Sequence, residues 1–151
     1  DISCSLVGSE MCIRDSSGTG GNSGTQASTA VIRALSLGEV RFGDLLRVVW
    51  KECRVALICG VCLAAANFVK MIAVDCWLLN NPAVTPAVAA VVCCTLVGTV
   101  ACAKLVGASL PILAEKIGFD PAVMASPFIS TIVDALSLLI YFRFATWILG
   151  V

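Results

Sequence analysis

Near its end the chain carries an unbroken apolar run, Pro121 to Gly150, reading PAVMASPFISTIVDALSLLIYFRFATWILG. At roughly 30 residues it exceeds the ~20 that a helix needs to cross a bilayer core. A carboxylate, Asp134, sits inside it. A charge at the centre of a spanning helix costs about 3 kcal/mol on insertion scales, so such residues face a bundle interior or a water-filled path. At helical spacing Ser126, Ser130, Asp134, Ser137 and Tyr141 share one face, while Phe128, Ile132, Leu136, Leu139 and Ile140 point elsewhere. Serines alone would be explained by helix packing, since small residues let membrane helices approach closely. Packing gives no reason for a carboxylate, which leaves two readings: a polar path, or a buried partner, of which Lys104 is the most obvious.

Only 13% of the 151 residues are charged and 59% are hydrophobic, against about 25% charged in soluble domains. Mean hydropathy is +0.98. The expected class is an all-α, polytopic transmembrane helix bundle, with membrane lipid as its surroundings. Ten basic residues balance ten acidic ones, which gives no pointer to nucleic acid. Histidine is absent, which excludes Ser-His-Asp and Cys-His catalysis and HExxH metalloproteases. Of nine cysteines, Cys59, Cys62, Cys93, Cys94 and Cys102 lie in apolar helical runs and read as small hydrophobes. The Cys59/Cys62 pair stands mid-helix, without a second pair at zinc-site spacing.

Taken in order, residues 1–16 (DISCSLVGSEMCIRDS) differ in character from everything downstream and resemble a translated sequencing-adapter artefact. They are set aside as non-native, with the expectation that the natural chain extended further upstream. Ser17 to Gly24, SGTGGNSG, reads as a break or flexible entry. A half-polar helix is expected over about 24–37, with Thr25, Ser28 and Thr29 on the side that lines a cavity. Residues 38–54 bring Arg41, Arg47, Lys51 and Arg54 among Leu45, Leu46, Val48, Val49 and Trp50, an amphipathic segment at the interface whose basic residues mark it as cytoplasmic. Spans follow at about 55–75, 86–114 and 121–150. The Asn-Asn-Pro loop, Asp75 to Pro86, lies outside, the 115–120 turn is cytoplasmic, and the carboxy terminus is outside. Pro121 is placed in the first turn of the last helix, where proline is tolerated, so that Asp134 lies about 20 Å up that helix.

Three stretches, GGNSGTQASTAVIRALSLGEV (Gly20 to Val40), AKLVGASLPILAEKIGFDPAV (Ala103 to Val123) and SPFISTIVDALSLLIYF (Ser126 to Phe142), together resemble the membrane domain of the MgtE-type magnesium transporter and channel family. Order and spacing match, and the likeness covers essentially everything after residue 17. It implies a multi-pass protein of the cell membrane, a homodimer that passes Mg²⁺ through a pore on the dimer axis, and Asp134 as the ion-binding acid of the selectivity filter. It also implies that residues 17–151 are a partial domain: the family's first membrane helix is missing, as are an amino-terminal regulatory domain and paired CBS domains. Ser126 stands where some relatives carry an amide.

The chemistry suits that expectation. Magnesium prefers oxygen, demands octahedral geometry and sheds water reluctantly, so protein sites hold it through one or two carboxylates and leave waters in place. One Asp134 from each of two subunits supplies two charges for a dication. Hydroxyls and carbonyls around Ser130 and Ser126 would receive the hydration shell. Two alternatives stand beside it. An intramembrane aspartyl protease needs two carboxylates sharing a site, and Asp134 is the only acid deep in a span, so no enzyme is expected. A membrane fragment that does not conduct is the other.

Overall fold

A computed structural model gives the backbone of residues 2–73, 86–122 and 127–149, and the side chains of 14, 17–73, 89–122 and 127–147. The described residues form four long helices: α1, Ile2–Ser36; α2, Leu45–Lys70; α3, Pro86–Ile117; and α4, Pro127–Leu149. A single 3₁₀ turn, Phe42–Asp44, leads into α2. The outer loop expected over Asp75 to Pro86 lies, apart from Pro86, outside the described residues, as do Ser126 and the chain end.

Among the described residues three helical runs are long and apolar enough to cross a membrane: Phe42–Ala73, Ala89–Ile117 and Pro127–Trp147. Half of the α3 window (50%) is buried inside the molecule, against 17% for the α2 and α4 windows. The middle of the bundle is therefore α3, on which α1, α2 and α4 all pack; α1 also packs along α4. Val91, Val92, Val100, Ala103, Ala108 and Ile112 supply the buried face of α3. Val31 and Leu35 of α1 pack against Ala108 and Ile112, while Ile129 and Val133 of α4 close over Ala103.

Ser17 to Gly24 is not a break but the interior of α1. Glycine and serine interrupt helices in water, where solvent competes for exposed backbone groups. Against neighbouring helices glycine instead permits contact that a side chain would forbid. A methyl group at Gly20 would lie 2.5 Å from Thr99 Cγ2, and one at Gly107 would overlap the Gly24 backbone. Pro111 is fully buried one turn further along α3. Lacking an N–H, it leaves the Gly107 carbonyl without its usual helical donor.

The helix ends have identifiable causes. Gly38 (φ 71°) and Gly118 (φ 87°) take left-handed backbone at the ends of α1 and α3. Glu39 N–H donates to Ala34 O at 3.0 Å and Phe119 N–H to Ala114 O at 2.9 Å, the bonding of a glycine-terminated helix cap. The last helix does not start at Pro121. Asp120 Oδ1 accepts from Ala122 N at 2.9 Å, folding that stretch into a turn, and the helix begins at Pro127. Of the amphipathic segment expected over 38–54, residues 45–54 are the first turns of α2, continuous with its span.

Candidate functional site

The i+4 series Ser17, Gly21, Thr25, Thr29, Arg33 runs along one face of α1, with Gly18, Asn22, Gln26 and Ala30 beside it. This face and two residues of α4, Ser130 and Asp134, line an open cleft of about 770 Å³. Small residues hold the two helices close enough to make it. Gly21 approaches Ser130, and Gly20 and Gly24 approach Val133 and Ile129. Asp134 lies on the rim of that contact, seven residues into α4. The later helix start moves it to about 10 Å from the beginning of the helix rather than 20 Å.

Ser17 Oγ donates to Asp134 Oδ1 at 2.5 Å. Carboxylate oxygens offer about four lone-pair positions, so most of that capacity faces the cleft. The hydroxyls around it are committed in a consistent sense. Thr25 Oγ1 donates to Gly21 O at 2.9 Å, Thr29 Oγ1 to Thr25 O at 2.8 Å and Ser130 Oγ to Pro127 O at 3.4 Å. A hydroxyl has one hydrogen, so a group that donates it to its own helix presents lone pairs outward. Thr25 and Thr29 thus turn acceptors to the cleft near Asp134, which suits a cation or the hydrogens of its water shell, while Asn22 and Gln26 offer both donors and acceptors. Arg33 marks the other end, sixteen residues or about 24 Å from Ser17 along α1, beyond the ~10 Å over which charges interact strongly in aqueous salt.

The structure brings together Asp134, Ser130, Thr25 and Thr29. Ser28 is completely buried on the opposite face of α1, without a hydrogen-bond partner for its hydroxyl, and does not line the cleft. Ser137 is also buried, donating to Val133 O at 2.6 Å beneath Gly20. Tyr141 is half-buried two turns beyond Asp134, its ring edge-on to Phe142. Ser126 lies outside the described residues. Of the other polar residues lining the cleft, Asn22 lies in the stretch expected to be a break, while Gln26 and Arg33 lie in the expected helix beside Thr25 and Thr29. The signal for them is a helix continued back through Ser17, which puts Arg33 in the i+4 series of Thr25 and Thr29 and puts Asn22 and Gln26 in the adjoining row.

Lys104 does not pair with Asp134. It is buried, with Nζ 3.3 Å from Glu52 Oε2 of α2. Among the described residues lining the cleft, Asp134 is the one acid, so the second carboxylate of an aspartyl protease is not found there. No group of three or more Cys, Asp or Glu residues able to hold a metal occurs among the described residues. A cation in this cleft would meet one carboxylate per chain.

Fold and site define a class: a polytopic all-α membrane protein with an acid-bearing polar cleft between two helices. The family model for MgtE, a divalent cation transporter, matches residues 16–144, and the chain belongs to that family. It is 36% identical over 129 residues to a magnesium transporter MgtE of Enterococcus faecalis, and 37% identical over 132 residues to one of Thermus thermophilus. A third, from Bacillus subtilis, is 36% identical over 131 residues. These alignments take in 85%, 87% and 86% of this chain. The chain spans 27% of the length of each relative. The family is one of transporters, not enzymes.

Proposed function

We propose that this chain forms part of the path by which Mg²⁺ crosses a cell membrane, and that the α1/α4 cleft is one wall of that path. The observation that carries the reading is Asp134: an exposed carboxylate on a predominantly apolar spanning helix, facing a polar cleft whose wall beside it carries the hydroxyl oxygens of Ser17, Thr25 and Ser130. Such a surface is too costly to leave against lipid, and the cleft is open on one side. A second copy of the chain, related by a two-fold axis, would close it and set two Asp134 side chains opposite each other. Membrane homo-oligomers with closed symmetry make such self-facing surfaces from one patch.

Two carboxylates with serine and threonine oxygens match the needs of a hydrated magnesium ion, which accepts one or two direct carboxylate ligands and keeps the rest of its waters. Ser130, one turn before Asp134, stands where the hydration shell would meet hydroxyl and carbonyl oxygen. The family, with three magnesium transporters among the relatives it resembles, supports the choice of ion. Vesicles reconstituted with the chain and loaded with a Mg²⁺-sensitive dye test the reading. Uptake above that of empty vesicles is the expected result; Mg²⁺-tight vesicles would mean that the chain does not conduct.

A further inference from the structure

The Phe42–Ala73 run is too long for a hydrocarbon core. Its 32 residues measure about 48 Å as a helix against a core of about 30 Å, so its first turns belong at headgroup level. In those turns Leu46, Arg47, Trp50, Lys51 and Arg54 are all exposed, and the spacing i, i+4, i+7 puts the three basic residues on one helix face. Leu46 (81%) and Trp50 (67%) flank them with uncovered apolar surface.

The acids nearby do not cancel this charge. Glu52 is turned away into the bundle, where Lys104 holds it with both side chains almost fully buried. Of these three basic side chains Asp44 meets Arg47, at 3.4 Å, in a pair whose arginine is 87% exposed, while its other oxygen accepts from Arg41 N at 3.3 Å; a pair so solvated is worth little. The buried ion pair thus strips the outward face of its one interior acid. What remains is a cationic strip with an interfacial tryptophan at the level of the phosphates.

We propose that this face of α2 binds an anionic phospholipid, with Arg47, Lys51 and Arg54 on the headgroup phosphate and Trp50 and Leu46 against the upper acyl chain. Charge complementarity selects the occupant: basic residues beside a membrane attract anionic lipid, and Trp prefers the interface. The site is independent of what passes through the cleft.

The test uses the full chain with Trp147→Phe and Trp77→Phe, which leaves Trp50 as the only tryptophan, in vesicles of phosphatidylcholine and phosphatidylglycerol. Bromine is placed on the acyl chains of one lipid or the other, and quenching of Trp50 reports which lipid lies beside it. Phosphatidylglycerol should quench beyond its share of the membrane, with a relative affinity on the order of fivefold over phosphatidylcholine. The preference should fall towards unity as salt is raised, and in the variant Arg47→Gln/Lys51→Gln/Arg54→Gln. Equal quenching by the two lipids overturns the proposal, as does a preference that neither salt nor the triple variant reduces. Quenching by neither lipid also overturns it, because the face is then covered by protein. Should the triple variant fail to fold, the salt series on the intact face decides.

Discussion

Gly107 carries no side chain because the Gly24 backbone occupies the place where one would go. Overpacking a membrane-helix crossing of this kind costs about 1–3 kcal/mol. Gly107→Ala is therefore expected to lower the thermal stability of the purified protein, followed as the loss of its monodisperse elution peak with temperature. Gly18→Ala should leave it unchanged, since nothing lies within 4 Å of a methyl group there. The same scale shows what a single sequence reveals about the cleft. Asp134, Ser130, Thr25 and Thr29 were legible because a carboxylate on an apolar helix and an i+4 hydroxyl series each have few uses in a membrane. Ser28 and Ser137 look identical to them in sequence. They differ only in which neighbour covers them, and that depends on where α3 runs, which helical periodicity does not encode.

Between elements, the strongest polar tie is Lys104 to Glu52. With exposure near one tenth on both side chains, removing one partner strands the other in an apolar setting, at about 3 kcal/mol. Lys104→Met alone should destabilise the bundle, and adding Glu52→Gln should recover much of the loss in the same thermal assay. Equal stability of the single variant and the parent would show that the lysine reaches water. The sequence offered Lys104 as a partner for Asp134, and the structure pairs it with Glu52 instead. Glu52 had been grouped with an interfacial segment, whereas α2 continues through that segment and carries the acid inward. The glycine-rich start of α1 was misread for a related reason. Breaker rules assume water at the helix surface, and in a bundle the same residues let helices touch.

For the molecule as a whole, three consecutive spanning helices, α2, α3 and α4, predict relative sidedness: Gly118, in the α3–α4 connection, is expected on the side of the basic first turns of α2, and the end of α4 on the opposite side. If that basic side is cytoplasmic, as the Lys/Arg distribution argues, alkaline phosphatase fused after Val151 will be active and fused after Gly118 inactive. The reverse pattern would invert the orientation. The alternation of spans was readable from hydropathy alone. Which helices line the polar cleft required the packing of α1 and α4.

The central claim is that the Asp134 carboxylate handles the permeating ion, and the direct measurement is Mg²⁺ uptake by dye-loaded vesicles containing either the parent chain or Asp134→Asn. The amide keeps the shape and removes the negative charge from each copy, while the Lys104–Glu52 pair elsewhere in the bundle is untouched. Uptake is predicted to fall by at least about tenfold, equivalent to about 1.4 kcal/mol, with elution profile and melting behaviour unchanged. Uptake by the Asn variant equal to that of the parent would contradict the assignment of Asp134 to the ion path.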